Sequence, residues 1–92
     1  SGILFEKIKT VERYLKELEE IRRNINKAKM LVQEENDNEK LINLSQSLKP
    51  VRDRIVSIIN EAGDERVKKI GTQLINEIDE IGEKIKIKLG LV

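Results

Sequence analysis

The groups in this sequence best placed for chemistry are carboxylates. Glu19-Glu20 and Glu34-Glu35 are adjacent pairs, and Asp79 lies one helical turn before Glu83. Paired carboxylates act as general acid and base only where a pocket separates their pKa values by burial. All three pairs fall off the apolar stripes described below, so they read as solvated. Glu34, Glu35, Asp37 and Glu39 could gather around a cation, but they lack the ligand spacing and turn glycine of a calcium loop. The hydroxyls of Thr10, Ser45, Ser47, Ser57 and Thr72 have no activating base, because the chain contains no histidine. It has no cysteine either, which removes thiolate chemistry and disulfides. The glycines, at positions 2, 63, 71, 82 and 90, form no phosphate-cradling run. The expectation is a chain that is not an enzyme and takes no metal or cofactor.

Charge points the same way for ligands of other classes. Eighteen basic residues face 17 acidic ones, a net charge of +1. Such a balance gives no strong attraction to nucleic acid or to an anionic membrane. Phe5 and Tyr14 are the only aromatic residues, so no stacking platform for single strands exists. Arg66, Lys68 and Lys69 could face a DNA groove, but Asp64 and Glu65 offset them. Apolar runs reach only three residues, as at Ile3-Leu4-Phe5, too short for a membrane span or a signal-peptide core. A soluble protein is expected, cytoplasmic if natural. The chain begins Ser1-Gly2 rather than with Met, which reads as a remnant of tag removal on a fragment or an engineered protein.

The elements that position these residues are helices. Apolar residues at Leu4, Ile8, Val11, Leu15, Leu18, Ile21, Ile25, Ala28 and Val32 recur in steps of three and four, one face of an α-helix. Leu41, Leu44, Leu48, Val51, Ile55, Ile58 and Ala62 form an unbroken heptad seam, and Val67, Ile70, Leu74, Ile78, Ile81, Ile85 and Leu89 form a third stripe. Asn36-Asp37-Asn38 breaks the first pattern, and Asn36 with Glu39 resembles a capping box. Gly63 can adopt the left-handed conformation that ends the second helix, and Asp64 can cap the third. The alternation of Lys84 to Leu89 has a strand's period of two, but it has no strand to pair with and reads as a helix end followed by a loose Gly90-Leu91-Val92. Connections this short imply antiparallel neighbours. The sequence therefore predicts one all-α domain over residues 1–92, an antiparallel up-down-up three-helix bundle with helices near 3–34, 39–62 and 64–89.

Three features leave alternatives open. Pro50 either kinks the second helix or splits it, which would make the bundle four-helical. The first helix, at about 32 residues and roughly 48 Å, is longer than its neighbours. Its start at Ile3, Leu4 and Phe5 therefore either frays or forms an apolar contact site. Gly71 and Gly82 lie eleven residues apart, on nearly the same face as Ile75 and Ile78. Each costs roughly 1 kcal/mol relative to alanine. They either admit a close neighbouring helix within the domain or form a groove for a partner helix. Much of the remaining charge fits intrahelical pairs: Glu12–Lys16, Glu19–Arg23, Glu65–Lys69 and Glu80–Lys84 are all four apart with the acid first.

The stretch Glu61-Ala62-Gly63-Asp64-Glu65-Arg66-Val67-Lys68-Lys69, followed by Leu74, Ile75 and Ile78, resembles the turn and third helix of BAG domains. These are three-helix co-chaperone modules that dock on the ATPase domain of a heat-shock chaperone. Lys68 and Lys69 match that family in charge, whereas its Arg-Lys pair falls on Gly71 and Thr72 and its later Gln on Asp79. The segment from Leu41 to Ile81 is similar to GAT domains, which bind ubiquitin and trafficking adaptors. These resemblances imply a chaperone, ubiquitin or helical protein partner, met through Lys68, Lys69, Gly71, Ile75 and Gly82. The leading expectation is a non-catalytic structural bundle, engineered or redesigned on a natural backbone because idealised design avoids interior glycine and proline. A protein-interaction module is the alternative.

Overall fold

The computed structural model describes residues 2–92; Ser1, part of the Ser1-Gly2 start discussed above, lies outside the described residues. Three α-helices account for nearly all of them: α1 (Gly2–Glu34), α2 (Asn38–Ala62) and α3 (Glu65–Lys88). Each packs on the other two, and no strand occurs among the described residues.

The helices form where the apolar steps recur, and many of their buried residues stand seven apart. Val11, Leu18, Ile25 and Val32 are buried on α1, and Leu41, Leu48, Ile55 and Ala62 on α2. On α3 two such rows are buried, Val67-Leu74-Ile81 and Gly71-Ile78-Ile85, while Ala28 on α1 and Ile58 on α2 are buried beside the single rows there. A seven-residue repeat keeps a seam facing its partner, as in coiled coils. The core is aliphatic throughout, and no polar or charged residue is buried among the described residues.

Both turns are closed by aspartate. Asp37 precedes α2 and accepts hydrogen bonds from the Glu39 and Lys40 N–H groups, at 2.9 and 3.3 Å. The cap is thus Asp37 rather than the expected Asn36, and Glu39 falls one position too early to return the bond of a capping box. The Glu35 carboxylate instead accepts from the Asn36 and Asp37 N–H groups, both at 3.1 Å. Gly63, at φ 55°, ends α2 as expected, and Asp64 caps α3 through the Arg66 and Val67 N–H groups. These bonds, that from Val67 foremost, hold the Asp64 carboxyl below its ordinary range.

Helix α2 runs without a break through Pro50, so the described residues form three helices and not four. Proline has no N–H to offer the Gln46 carbonyl, so one helical hydrogen bond is missing there. The period-two tail is helical to Lys88 and then closes in a Schellman turn. Gly90, at φ 76°, donates to the Ile87 carbonyl at 3.0 Å, and Leu91 donates to that of Lys86 at 2.9 Å.

The charges are spent differently from the sequence expectation. None of the four intrahelical pairs predicted above is formed among the described residues. Charge pairs instead join every pair of helices: Arg54 with Glu17 across α1 and α2, Arg52 with Asp79 across α2 and α3, and Lys29 with Glu77 across α1 and α3. Lys88 adds a fourth tie by donating to the Gln33 and Glu35 carbonyls at 3.1 and 2.8 Å. It thereby places a cation at the negative end of α1, which has no basic residue in its own last turn.

The molecule measures 56 × 19 × 16 Å, and α1, its longest helix, spans most of that length. The first buried residue of α1 is Val11, so the preceding turns project beyond the core. No described helix is long and apolar enough to cross a membrane.

Candidate functional site

The two interior glycines have different fates. Gly71 is buried, and a β-carbon there would lie 2.7 Å from two side-chain atoms of Ile59 and 3.3 Å from Ile55 Cγ2. Of the two readings of this glycine, close packing within the domain is the one that applies. Gly82 has nothing within 4 Å of the corresponding point. It opens the side of α3 to a shallow groove along α2, lined by Leu48 and Ile78 at its base and by Ile87 at its end. Leu48 and Ile78 are buried core residues whose edges reach the groove, whereas Ile87 is 62 % exposed.

The groove walls are polar. Ser45, Lys49 and Arg52 stand on α2, with Asp79, Glu83 and Lys86 on α3. Arg52 closes one end by a two-pronged bond to Asp79, at 2.9 and 3.1 Å. That guanidinium holds the Asp79 carboxyl below its ordinary value. Glu83 is paired separately, with Lys86 at 3.2 Å. Asp79 and Glu83 are therefore each paired with a cation of their own.

Of the five residues expected to meet a partner, the groove holds only Gly82. Lys68 and Lys69 are exposed on the first half of α3, away from the groove walls, and Ile75 is half-buried against the core. Arg52 and Lys49 were not singled out from the sequence, and no periodicity could have found them, because they become wall residues only through the rotation of α2 against α3. Ile87 did carry a signal: it is a large apolar residue lying off the seam of its helix.

A second polar cluster joins α1 to α2. The Tyr14 hydroxyl donates to Glu61 at 2.8 Å, and Arg54 grips Glu17 at 2.6 and 2.8 Å. The bond to Glu61 raises the Tyr14 pKa, since the phenolate would lose its donor and meet a like charge. Arg54 lowers that of Glu17, and its own pKa is raised in return. Beside this cluster lies a shallow depression bordered by Ile21, Pro50 and Val51. Charges fixed this way brace the helices. Glu19 and Glu20 are exposed, as is Glu34, and no group of three acidic, histidine or cysteine residues among the described residues could hold a metal ion.

Comparison with known proteins returns no match, whether to a protein family, to a curated protein or to a solved structure.

Proposed function

We propose that the chain is a non-catalytic structural scaffold, an antiparallel up-down-up bundle that takes no ligand and was engineered or redesigned on a natural backbone. The alternating direction is supported by register. Tyr14 meets Glu61 while Glu17, further along α1, meets Arg54, earlier on α2. Gly71 packs on Ile59, while Asp79 meets Arg52. Lys88, at the end of α3, reaches the end of α1.

The observation that carries the functional reading is the uniformly aliphatic core, with no polar side chain buried among the described residues. Catalytic sites need groups whose pKa is displaced by burial beside a cleft. The displaced groups here are surface residues in fixed pairs or caps. The interior Pro50 and Gly71 point to a natural backbone beneath the sequence. Thermal melting tests the reading: a redesigned bundle of this kind is expected to melt cooperatively above about 90 °C. An ordinary mesophilic midpoint, or reproducible turnover by the purified metal-free chain, would overturn it.

The open groove at Gly82 favours one second reading, a BAG-like or GAT-like interaction module. The probes are a heat-shock ATPase domain and ubiquitin, titrated against the chain and against Gly82→Leu. A β-carbon at that position meets nothing within 4 Å, so the new side chain has open space to enter the groove. Saturable binding lost in Gly82→Leu supports the module; no binding of either probe counts against it. Substitution at Gly71 would not serve, because a larger side chain there strikes Ile59.

A further inference from the structure

Residues 35–37 connect α1 to α2, and Asn36 at their centre is one of seven asparagines in the chain. The other six lie within helices: Asn24 and Asn26 on α1, Asn38, Asn43 and Asn60 on α2, and Asn76 on α3. Inside a helix the next residue's N–H is committed to a carbonyl one turn back, and the dihedrals are fixed. At Asn38, the first residue of α2, the backbone is already helical and the following N–H is held by the Asp37 cap at 2.9 Å. Asn36 lies outside the helices and escapes these restraints. Its side chain is exposed and makes no hydrogen bond among the described residues.

The backbone amide that follows Asn36 is in contact with a base. The Asp37 N–H donates to Glu35 Oε2 at 3.1 Å, within reach of proton transfer. Glu35 is itself held: its N–H donates to the Leu31 carbonyl at 2.9 Å, and its carbonyl accepts from Lys88 at 2.8 Å. We propose that Asn36 is a site of spontaneous deamidation, with Glu35 as the base. The Asp37 nitrogen attacks Cγ of Asn36 and a C–N bond forms, while the Asp37 amide proton passes to Glu35. That proton then goes to the leaving nitrogen, which departs as ammonia and leaves a cyclic imide. Water opens the imide at either carbonyl, giving aspartate or isoaspartate at position 36. Each product adds a negative charge to a stretch that already holds Glu34, Glu35, Asp37 and Glu39, and lowers the net charge of +1 by one unit. Isoaspartate also inserts a methylene into the backbone just before the Asp37 cap of α2. The turn thus carries a clock that loosens it with age.

The test holds the 92-residue chain folded near neutral pH, samples it over time and maps its peptides by mass, separating aspartate from isoaspartate. Asn36 is expected to convert ahead of the other six, with both products appearing. Glu35→Gln keeps an acceptor of the same shape but removes the base. It is expected to slow conversion at Asn36 at least ~10-fold while the melting midpoint is retained. An Asn36 that persists, another asparagine that converts first, or a rate indifferent to Glu35→Gln would each overturn the proposal.

Discussion

Gly71 of α3 lies so near Ile59 of α2 that a β-carbon added to it would come within 2.7 Å of both Ile59 Cδ1 and Cγ1. Ile55 Cγ2 stands behind at 3.3 Å. This is the closest approach recorded at any glycine of the chain, and it sets two opposing effects against each other. Alanine gains about 1 kcal/mol of helix propensity over glycine. Overpacking a filled core costs about 1–3 kcal/mol. Ile59 Cδ1 can swing aside, but Cγ1 is tied closer to its backbone, so the steric cost is expected to win. Gly71→Ala should lower stability by about 1 kcal/mol in urea melts, and Ile59→Ala should relieve part of that loss in a double-mutant cycle.

Gly82 provides the control. The same substitution meets open space there. Gly82→Ala should raise stability by about 0.5–1 kcal/mol through helix propensity alone. Equal effects at the two glycines would show that the Ile59 contact has no energetic weight.

Pro50 is exposed and interior to α2. Its replacement restores a donor for the Gln46 carbonyl and removes no core contact. Against this, proline restricts the unfolded chain by about 0.4–1 kcal/mol, which the variant loses. Removal of a defect costing about 3 kcal/mol is the larger effect. Pro50→Ala should therefore stabilise the chain by about 2 kcal/mol, read as a higher urea midpoint at constant m-value.

Acid should weaken the fold in a defined direction. Glu17, Asp64 and Asp79 all have folded-state pKa values below their ordinary ones of 4.5, 3.8 and 3.8. The folded state then binds fewer protons than the unfolded one, so their contribution is complete above those ordinary values and fades as pH falls through the lowered ones. With no histidine in the chain, stability should stay nearly level from about pH 8 to about pH 5 and decline below about pH 4. Asp79→Asn should flatten that decline. All three groups are near solvent, so added salt should shrink the effect.

Lys88 offers a smaller test. It caps the carbonyls of Gln33 and Glu35 from another helix. Lys88→Met keeps the aliphatic stem and removes the charge, and should cost about 0.3–1 kcal/mol, less at high salt. Hydrogen exchange should report the loss in the last turn of α1 rather than in α3.

Much of the fold is readable in the residue order. The three apolar stripes specify three helices, and Gly63 with Asp64 specifies one turn to the residue. The other turn is placed one residue off, because Asn36 and Asp37 are both good caps. The choice between them depends on where the first turn of α2 begins, and Glu35 influences that by binding the N–H groups of both.

What the linear order could not reveal is pairing across helices. Charges four apart on one helix look like natural partners, yet within a helix the pairs that form are three apart, Glu19 with Arg22 and Glu83 with Lys86, and the two-pronged bonds, Arg54 with Glu17 and Arg52 with Asp79, cross between helices. A pair within one helix needs only the helix's own geometry, but a pair between helices needs their relative rotation and axial offset, which core packing sets. The two glycines make the same point. Their sequence environments are alike, and only the arrival of Ile59 at one of them, with open space at the other, separates a packing residue from the floor of a groove. Periodicity is a property of one helix and can be read along the chain. Distance between side chains of different helices exists only after the helices have met.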